Sequence, residues 1–429
     1  MKRYILSIFL LLTTGIVHAQ TKTIAFDVNG LKVILRPTQK ETISMSMFFR
    51  GGVMNGGANQ AGLENLTLAA LASAGTTRYS VNDYKELADE FGIDIAGAGS
   101  TDYGRVNMSC IDTYFEQGWK LFSDAISNPA FDPTEFQSVK EKTISAIYQL
   151  RSDPETRIEQ MAMESLFKGS VYSADPMGTA ERLATFTPDS ARNYYKNVLL
   201  NKNKMFLVVA GNISRETLEK KIKEAFNGLP AKAYTAPLYT APVLNTETVR
   251  IENRDIATNY ISCVMNAPKM SSPDFPAFMV VVNVLSGNLH NELRNRLGLS
   301  YAPGATVEVQ QIPYMSMFVS TTQPKKAFDA MLEVYSNIRA GQYGQRILDL
   351  IKRDYRSGYY RHQESSGAIV KSLGEAEILG GYALEEQLVE KFNNVTLEQM
   401  KGVFAKYLTG AIWLYLGDET LGRTAFQAK

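Results

Sequence analysis

Histidine is the most restrictive count of this 429-residue chain, with three copies. One of them, His18, lies in an amino-terminal segment that reads as removable, which leaves His290 and His362, 72 residues apart. No two histidines can therefore share a helical face, the arrangement that builds the common catalytic zinc motifs. Cysteine is nearly absent too. Cys110 and Cys263 allow at most one bridge, whether they pair is open, and they cannot make a cysteine zinc cluster. Lys plus Arg number 45 against 44 for Asp plus Glu, so no basic excess marks a nucleic-acid surface and no acidic excess a solvating tail. Only 15 prolines in a chain that is 45% apolar exclude a disordered or collagen-like molecule. Beyond residue 20 no apolar run approaches the roughly eighteen residues of a membrane span, the nearest being residues 275–285.

The amino terminus carries a targeting pattern. Lys2 and Arg3 precede an apolar run at residues 4–16, and Val17-His18-Ala19 puts small residues where a signal peptidase reads. Cleavage after Ala19 is expected. No cysteine follows to carry a lipid. The mature chain is expected to be exported, nearly neutral and without a membrane span.

Residues 23–28 and 31–35 are apolar, β-branched runs joined by Asn29-Gly30, a strong hairpin signal, and 43–49 reads as a third strand. Helices are predicted at 63–74, 81–91, 116–126 and, with Pro133 near its start, 133–150; strands are predicted at 93–98 and 105–111. A helix from Thr187-Pro188, a strand at 205–210 and a helix at 215–226 complete an α+β layer. Pro230, Pro237 and Pro242 then mark an extended linker. After it the order returns. Trp119-Lys120-Leu121-Phe122 matches Phe328-Asp329-Ala330-Met331, and Thr187-Pro188 matches Thr396-Leu397, both at an offset of 209; the strand at 205–209 matches 412–416 at 207. A shared offset in separate segments signals duplication. The predicted organisation is an export signal at 1–19, a first half at 20–228, a linker at 229–247 and a second half at 248–429, each half a mostly antiparallel sheet covered by helices.

Two local patterns, with the duplication and the export signal, resemble the insulinase-like zinc peptidases. The first is Ala61-Gly62-Leu63-Glu64-Asn65-Leu66-Thr67-Leu68-Ala69, where the family carries His-x-x-Glu-His on a helix. Asn65 stands for the first histidine, Leu68 for the glutamate that activates water and Ala69 for the second histidine. The resemblance also implies a glutamate ligand on the long helix, where this chain has Ser145-Ala146-Ile147-Tyr148. No metal is expected in this chain. The second pattern is Leu293-Arg294-Asn295-Arg296-Leu297-Gly298-Leu299-Ser300-Tyr301, similar to the family's Arg and Tyr pair seven residues apart around a helix-ending glycine. In the family that pair contacts the substrate backbone and the carbonyl oxygen attacked at zinc. Arg294 and Tyr301 are the expected catalytic contribution, with Arg296 the substitute for Arg294; a solvated helix end reads the same residues. Ala96-Gly97-Ala98 lies in the strand that, in relatives, receives the peptide as an added strand. Strand glycines equally mark close backbone approach.

The resemblance implies a non-catalytic subunit that positions a peptide substrate for an insulinase-like partner carrying His-x-x-Glu-His and the zinc. The partner is expected across the concave face between the halves, where each half would offer one sheet. A peptidase-like scaffold without a catalytic role is the alternative. No Gly-x-Ser-x-Gly elbow supports an independent hydrolase.

Overall fold

The computed structural model describes residues 22–427; the expected export signal lies outside the described residues. The chain enters through β1 (Ile24–Val28) and β2 (Leu31–Pro37). Asn29 and Gly30 both take positive φ, 53° and 87°, as a two-residue hairpin turn of matching twist requires. There follow β3 (Thr42–Arg50), α1 (Leu63–Leu71), α2 (Val81–Glu90), β4 (Asp94–Gly99) and β5 (Tyr103–Ile111). Next come α3 (Phe115–Ser127), α4 (Pro133–Ser152), α5 (Pro154–Leu166), α6 (Ala180–Ala184) and α7 (Pro188–Tyr194). β6 (Met205–Gly211) and α8 (Arg215–Phe226) complete this part. Residues 227–246 hold no helix or strand.

The remainder runs β7 (Glu247–Asn253), β8 (Asn259–Asn266), α9 (Phe275–Leu289), β9 (Gly304–Glu308) and β10 (Tyr314–Thr321). Then come α10 (Pro324–Arg339), α11 (Gln345–His362), α12 (Ser366–Leu379), α13 (Ala383–Asn393), α14 (Leu397–Tyr407), β11 (Ala411–Gly417) and α15 (Glu419–Ala425). The sheets have orders β1-β2-β6-β3-β5-β4 and β7-β11-β8-β10-β9. Apart from the extra β1 the two orders correspond strand for strand, including one parallel pair each, β2 with β6 and β7 with β11. Even local punctuation repeats: Thr187 with Ser190 and Thr396 with Gln399 form capping boxes on α7 and α14, closing free N–H groups at equivalent helix starts.

Each sheet buries one face under helices of its own half, around Phe49, Trp119 and Phe122 in the first and Phe278, Phe328 and Trp413 in the second. The opposite faces are covered by exchange. α5 lays Ile158, Met161, Ala162 and Leu166 on Val264, Ile412, Leu414 and Leu416 of the second sheet. Its counterpart α12 lays Ile369, Val370, Leu373 and Ile378 on Ile34, Phe48, Phe206 and Val208 of the first. Each such aliphatic side chain contributes on the order of 2 kcal/mol by leaving water. This corrects the expectation of two open sheets facing a partner, because the inner faces are apolar and helices of this same chain fill them. α5 and α6 are also additions to the elements predicted from sequence.

Polar groups fasten the exchange. Glu377 on α12, almost fully buried, accepts from Arg50 at 2.6 Å and Lys32 at 2.7 Å, both from the first sheet. Asp102, buried in the β4–β5 turn, accepts from the Tyr172 hydroxyl at 2.7 Å and from the Gln311 N–H at 2.8 Å in the β9–β10 turn. Gly374 lets α12 approach β3: a Cβ there would overlap the ring of fully buried Phe48. Gly374→Ala is expected to lower stability by roughly 1–2 kcal/mol despite its gain in helix propensity. Urea unfolding checks this, and a stabilised variant would contradict the close packing.

Candidate functional site

α1, which holds Asn65, Leu68 and Ala69 of the segment that resembles the zinc motif, lies against β4, the free edge of the first sheet. A Cβ on Gly97 would overlap the Leu68 carbonyl, so this glycine is required by helix-on-strand packing. Ala96 and Ala98 point the other way and are exposed. Asn65 accepts the Gly99 N–H at 3.0 Å, so its side-chain oxygen already serves the edge strand. Leu68 is fully buried, and Ala69 offers a methyl group. On α4, Ser145 donates to the Glu141 carbonyl at 2.9 Å, Ile147 is buried and Tyr148 is exposed. This donor set does not fit zinc: one amide oxygen is taken by backbone and its neighbours are hydrocarbon. Among the described residues no three His, Cys, Asp or Glu side chains cluster as metal ligands.

Beside the motif is a group that sequence reasoning missed. Glu64 is buried, and one carboxylate oxygen, Oε2, accepts from Asn55 Nδ2 at 2.8 Å and the Tyr194 hydroxyl at 2.9 Å. Its Oε1 has no hydrogen-bond partner among the described residues. Burial pushes the carboxyl up to about 7, against the smaller opposing pull of its two donors and of Lys204. Burial likewise pushes buried Lys204 down to about 8, and its ammonium donates to the Val198 carbonyl at 2.9 Å. A signal existed in the sequence: Glu64 is the one charged residue of α1 and shares a face with Leu68 and Leu71.

The second motif forms a contact. α9 passes into a wider π-helical segment, His290–Arg296, and Gly298 with φ 62° ends it. The N–H groups of Leu299 and Ser300 turn back to the Leu293 carbonyl at 2.7 and 3.3 Å. This reversal sets the Arg294 guanidinium 4.3 Å above the Tyr301 ring. Both side chains are exposed, Tyr301 to 77%, and neither hydrogen-bonds within the described residues. Arg296 is instead engaged by Glu292, with Nε to Oε2 at 2.6 Å. Past Tyr301, Ala302 and Gly304 enter a cleft of about 1150 Å³ between α5, the end of α4 and the β9–β10 hairpin. Arg294 and Tyr301 stand outside its lining. Within it, burial raises the Glu159 and Glu308 carboxyls, and Glu308 adds to the rise at Glu159.

A family model described as insulinase (peptidase family M16) matches residues 32–180, and one described as the peptidase M16 inactive domain matches residues 185–355. The chain belongs to the insulinase (M16) peptidase family. This M16 chain is similar to the protein named non-peptidase homolog YmxG of Helicobacter pylori, at 22% identity over 284 residues, 64% of this chain and 65% of that one. The match thus spans slightly less than two thirds of that relative. Among solved structures it resembles the peptidase M16 inactive domain from Pseudomonas fluorescens, with TM-score 0.82, 17% identity and coverage of 92% and 98% of the two chains. It also resembles the periplasmic protease PqqL from Escherichia coli, with TM-score 0.76 and 15% identity over 91% of this chain and 44% of PqqL. This M16 chain contains no His-x-x-Glu-His. Among the described residues no helix is long and apolar enough to cross a membrane.

Proposed function

We propose that this M16 chain is the non-catalytic, substrate-positioning subunit of an exported two-chain zinc peptidase. An insulinase-like partner carrying His-x-x-Glu-His supplies the metal and the base, and this chain contributes Arg294 and Tyr301. The observation that carries the reading is the Arg294–Tyr301 contact: two strong donors, held together by the helix-ending turn, exposed, and using none of their hydrogen-bonding capacity among the described residues. Groups so disposed suit a peptide carbonyl presented by a second chain. The Ala96-Gly97-Ala98 segment of edge strand β4 is the place for an added peptide strand, with the Gly99 N–H already bound by Asn65. Export is supported by the cleavage pattern ending at Ala19, and the structural relative PqqL is described as periplasmic.

A scaffold without a catalytic role is favoured by one observation, the absence of Arg294 and Tyr301 from the cleft lining. Mixing separates the two. This chain alone is expected to hold no stoichiometric zinc after dialysis and to cleave no peptide, whereas mixing with a purified insulinase-like partner should raise chelator-sensitive cleavage above that of the partner alone. A partner equally active without this chain would favour the scaffold. One tightly held zinc in this chain, with cleavage, would overturn both.

A further inference from the structure

α11 carries a second unusual surface, remote in sequence from both motifs. Its inner face packs Leu348 into the core and stacks Tyr355 on Phe392 of α13 at 3.7 Å between centroids. Its outer face holds Arg346, Arg353 and Arg356, spaced i, i+7, i+10, with Lys352 beside them. Together with Asp349, Leu350 and Asn393 at the end of α13, these four cations line a concavity of about 670 Å³. None of the four has an ion-pair or hydrogen-bond partner among the described residues. Asp349, the one carboxylate in the lining, accepts from Gln345 at 2.7 Å.

The counterpart helix α4 is arranged differently. There Lys140 donates to the Phe186 carbonyl and Arg151 meets Glu181, while Glu135 pairs with Lys85. Like charges on one helical face repel and destabilise it. Arg346 adds to this, because it stands in the first turn, where the helix dipole disfavours a cation. The whole chain has a net charge of only +1, so the excess is local. Three arginines around one hollow offer forked donors that match tetrahedral oxyanions, and a hollow concentrates their field on a compact ligand more than on a flat surface.

We propose that the concave basic face of α11, with Asn393, binds a compact polyanion carrying two or more phosphate-type groups. Inorganic tripolyphosphate is the probe, titrated calorimetrically into the full mature chain. Saturable one-to-one binding is expected, weakened at least about tenfold in Arg353→Glu/Arg356→Glu and also, independently, in Arg346→Gln. The charge-matched pair Lys142→Glu/Lys220→Glu, exposed on other helices, should bind as wild type. Vesicles of neutral lipid doped with a bisphosphorylated lipid identify the source: flotation displaced by tripolyphosphate means a headgroup, and calorimetric binding without flotation means a free ligand. Absence of saturable binding, or equal loss in both charge-reversed pairs, overturns the site. Flotation with phosphatidylglycerol vesicles that tripolyphosphate fails to displace also overturns it, in favour of a diffuse membrane contact.

Discussion

Tyr301→Phe is expected to reduce kcat of the reconstituted two-chain peptidase about 10²-fold while leaving melting temperature and assembly unchanged. The substitution removes one hydroxyl that bonds nothing among the described residues, so their packing loses no partner. The ring remains, and with it the surface under the Arg294 guanidinium. Arg294→Ala should lower activity at least as much. Because both donors would serve one carbonyl region, the double variant should lose much less than the product of the single losses. A purely structural pair predicts the opposite: Tyr301→Phe silent in activity, and any Arg294→Ala loss following a fall in melting temperature. Full activity in Tyr301→Phe would remove the oxyanion role whatever Arg294→Ala does. Arg296, held by Glu292, serves as the neighbouring control, since Arg296→Ala should leave kcat near wild type.

The second large effect concerns pH. The Glu64 carboxyl, at about 7 in the folded chain against 4.5 unfolded, retains a proton across that interval which the unfolded chain releases. Its contribution to stability is complete below pH 4.5 and is lost as pH rises through 7. Lys204, at about 8 against 10.5, acts in the other direction: its contribution is complete above pH 10.5 and is lost as pH falls through 8. The groups around Glu64 are Lys204, the Tyr194 and Asn55 donors, and the linker tyrosines Tyr234 and Tyr239, so no second carboxylate drives the shift. The stability contributed by this pair should be smallest between about pH 7 and 8. Glu64→Gln keeps a carbonyl oxygen for Asn55 and Tyr194 and removes the charge. It should flatten the acid side of the curve and be more stable above pH 7 by on the order of 3 kcal/mol, reduced by whatever Lys204 loses with its partner. Urea midpoints of both proteins from pH 4.5 to 9 test this. Parallel curves would mean that Glu64 is solvated and ordinary.

What the sequence made legible was local. The Asn29-Gly30 turn, the Pro133 helix start and the Trp119 and Phe328 helices at one offset depend on neighbours a few residues away, and the fold contains them as predicted. α5 went unrecognised although Asp153-Pro154 caps it and Ile158, Met161, Ala162 and Leu166 recur at helical spacing. Its stripe is short and interleaved with Glu155, Arg157, Glu159 and Glu164, and the surface it needs belongs to the other half. Tertiary partners of that kind leave little trace in a window of eleven residues. At the motif, the loss of ligands was readable from residue identity alone. The duty of Gly97 was not, because a glycine that admits a helix and one that admits a ligand are the same letter. Glu64 was hidden for a related reason: a carboxylate on a helix is normally taken as solvent-facing until the burial of its neighbours is known.

The traded helices α5 and α12 determine what would follow from cutting the chain. A protease nick within residues 227–246 would sever one covalent strand and leave both clasps closed, since each fragment would still hold the other's sheet. The fragments should migrate together until denatured. Expressed separately, each would bare a strip of aliphatic side chains and precipitate; expressed together from two genes, they should assemble. Partition of such a chain into independently inherited pieces is thus mechanically permitted, whereas loss of either piece is not.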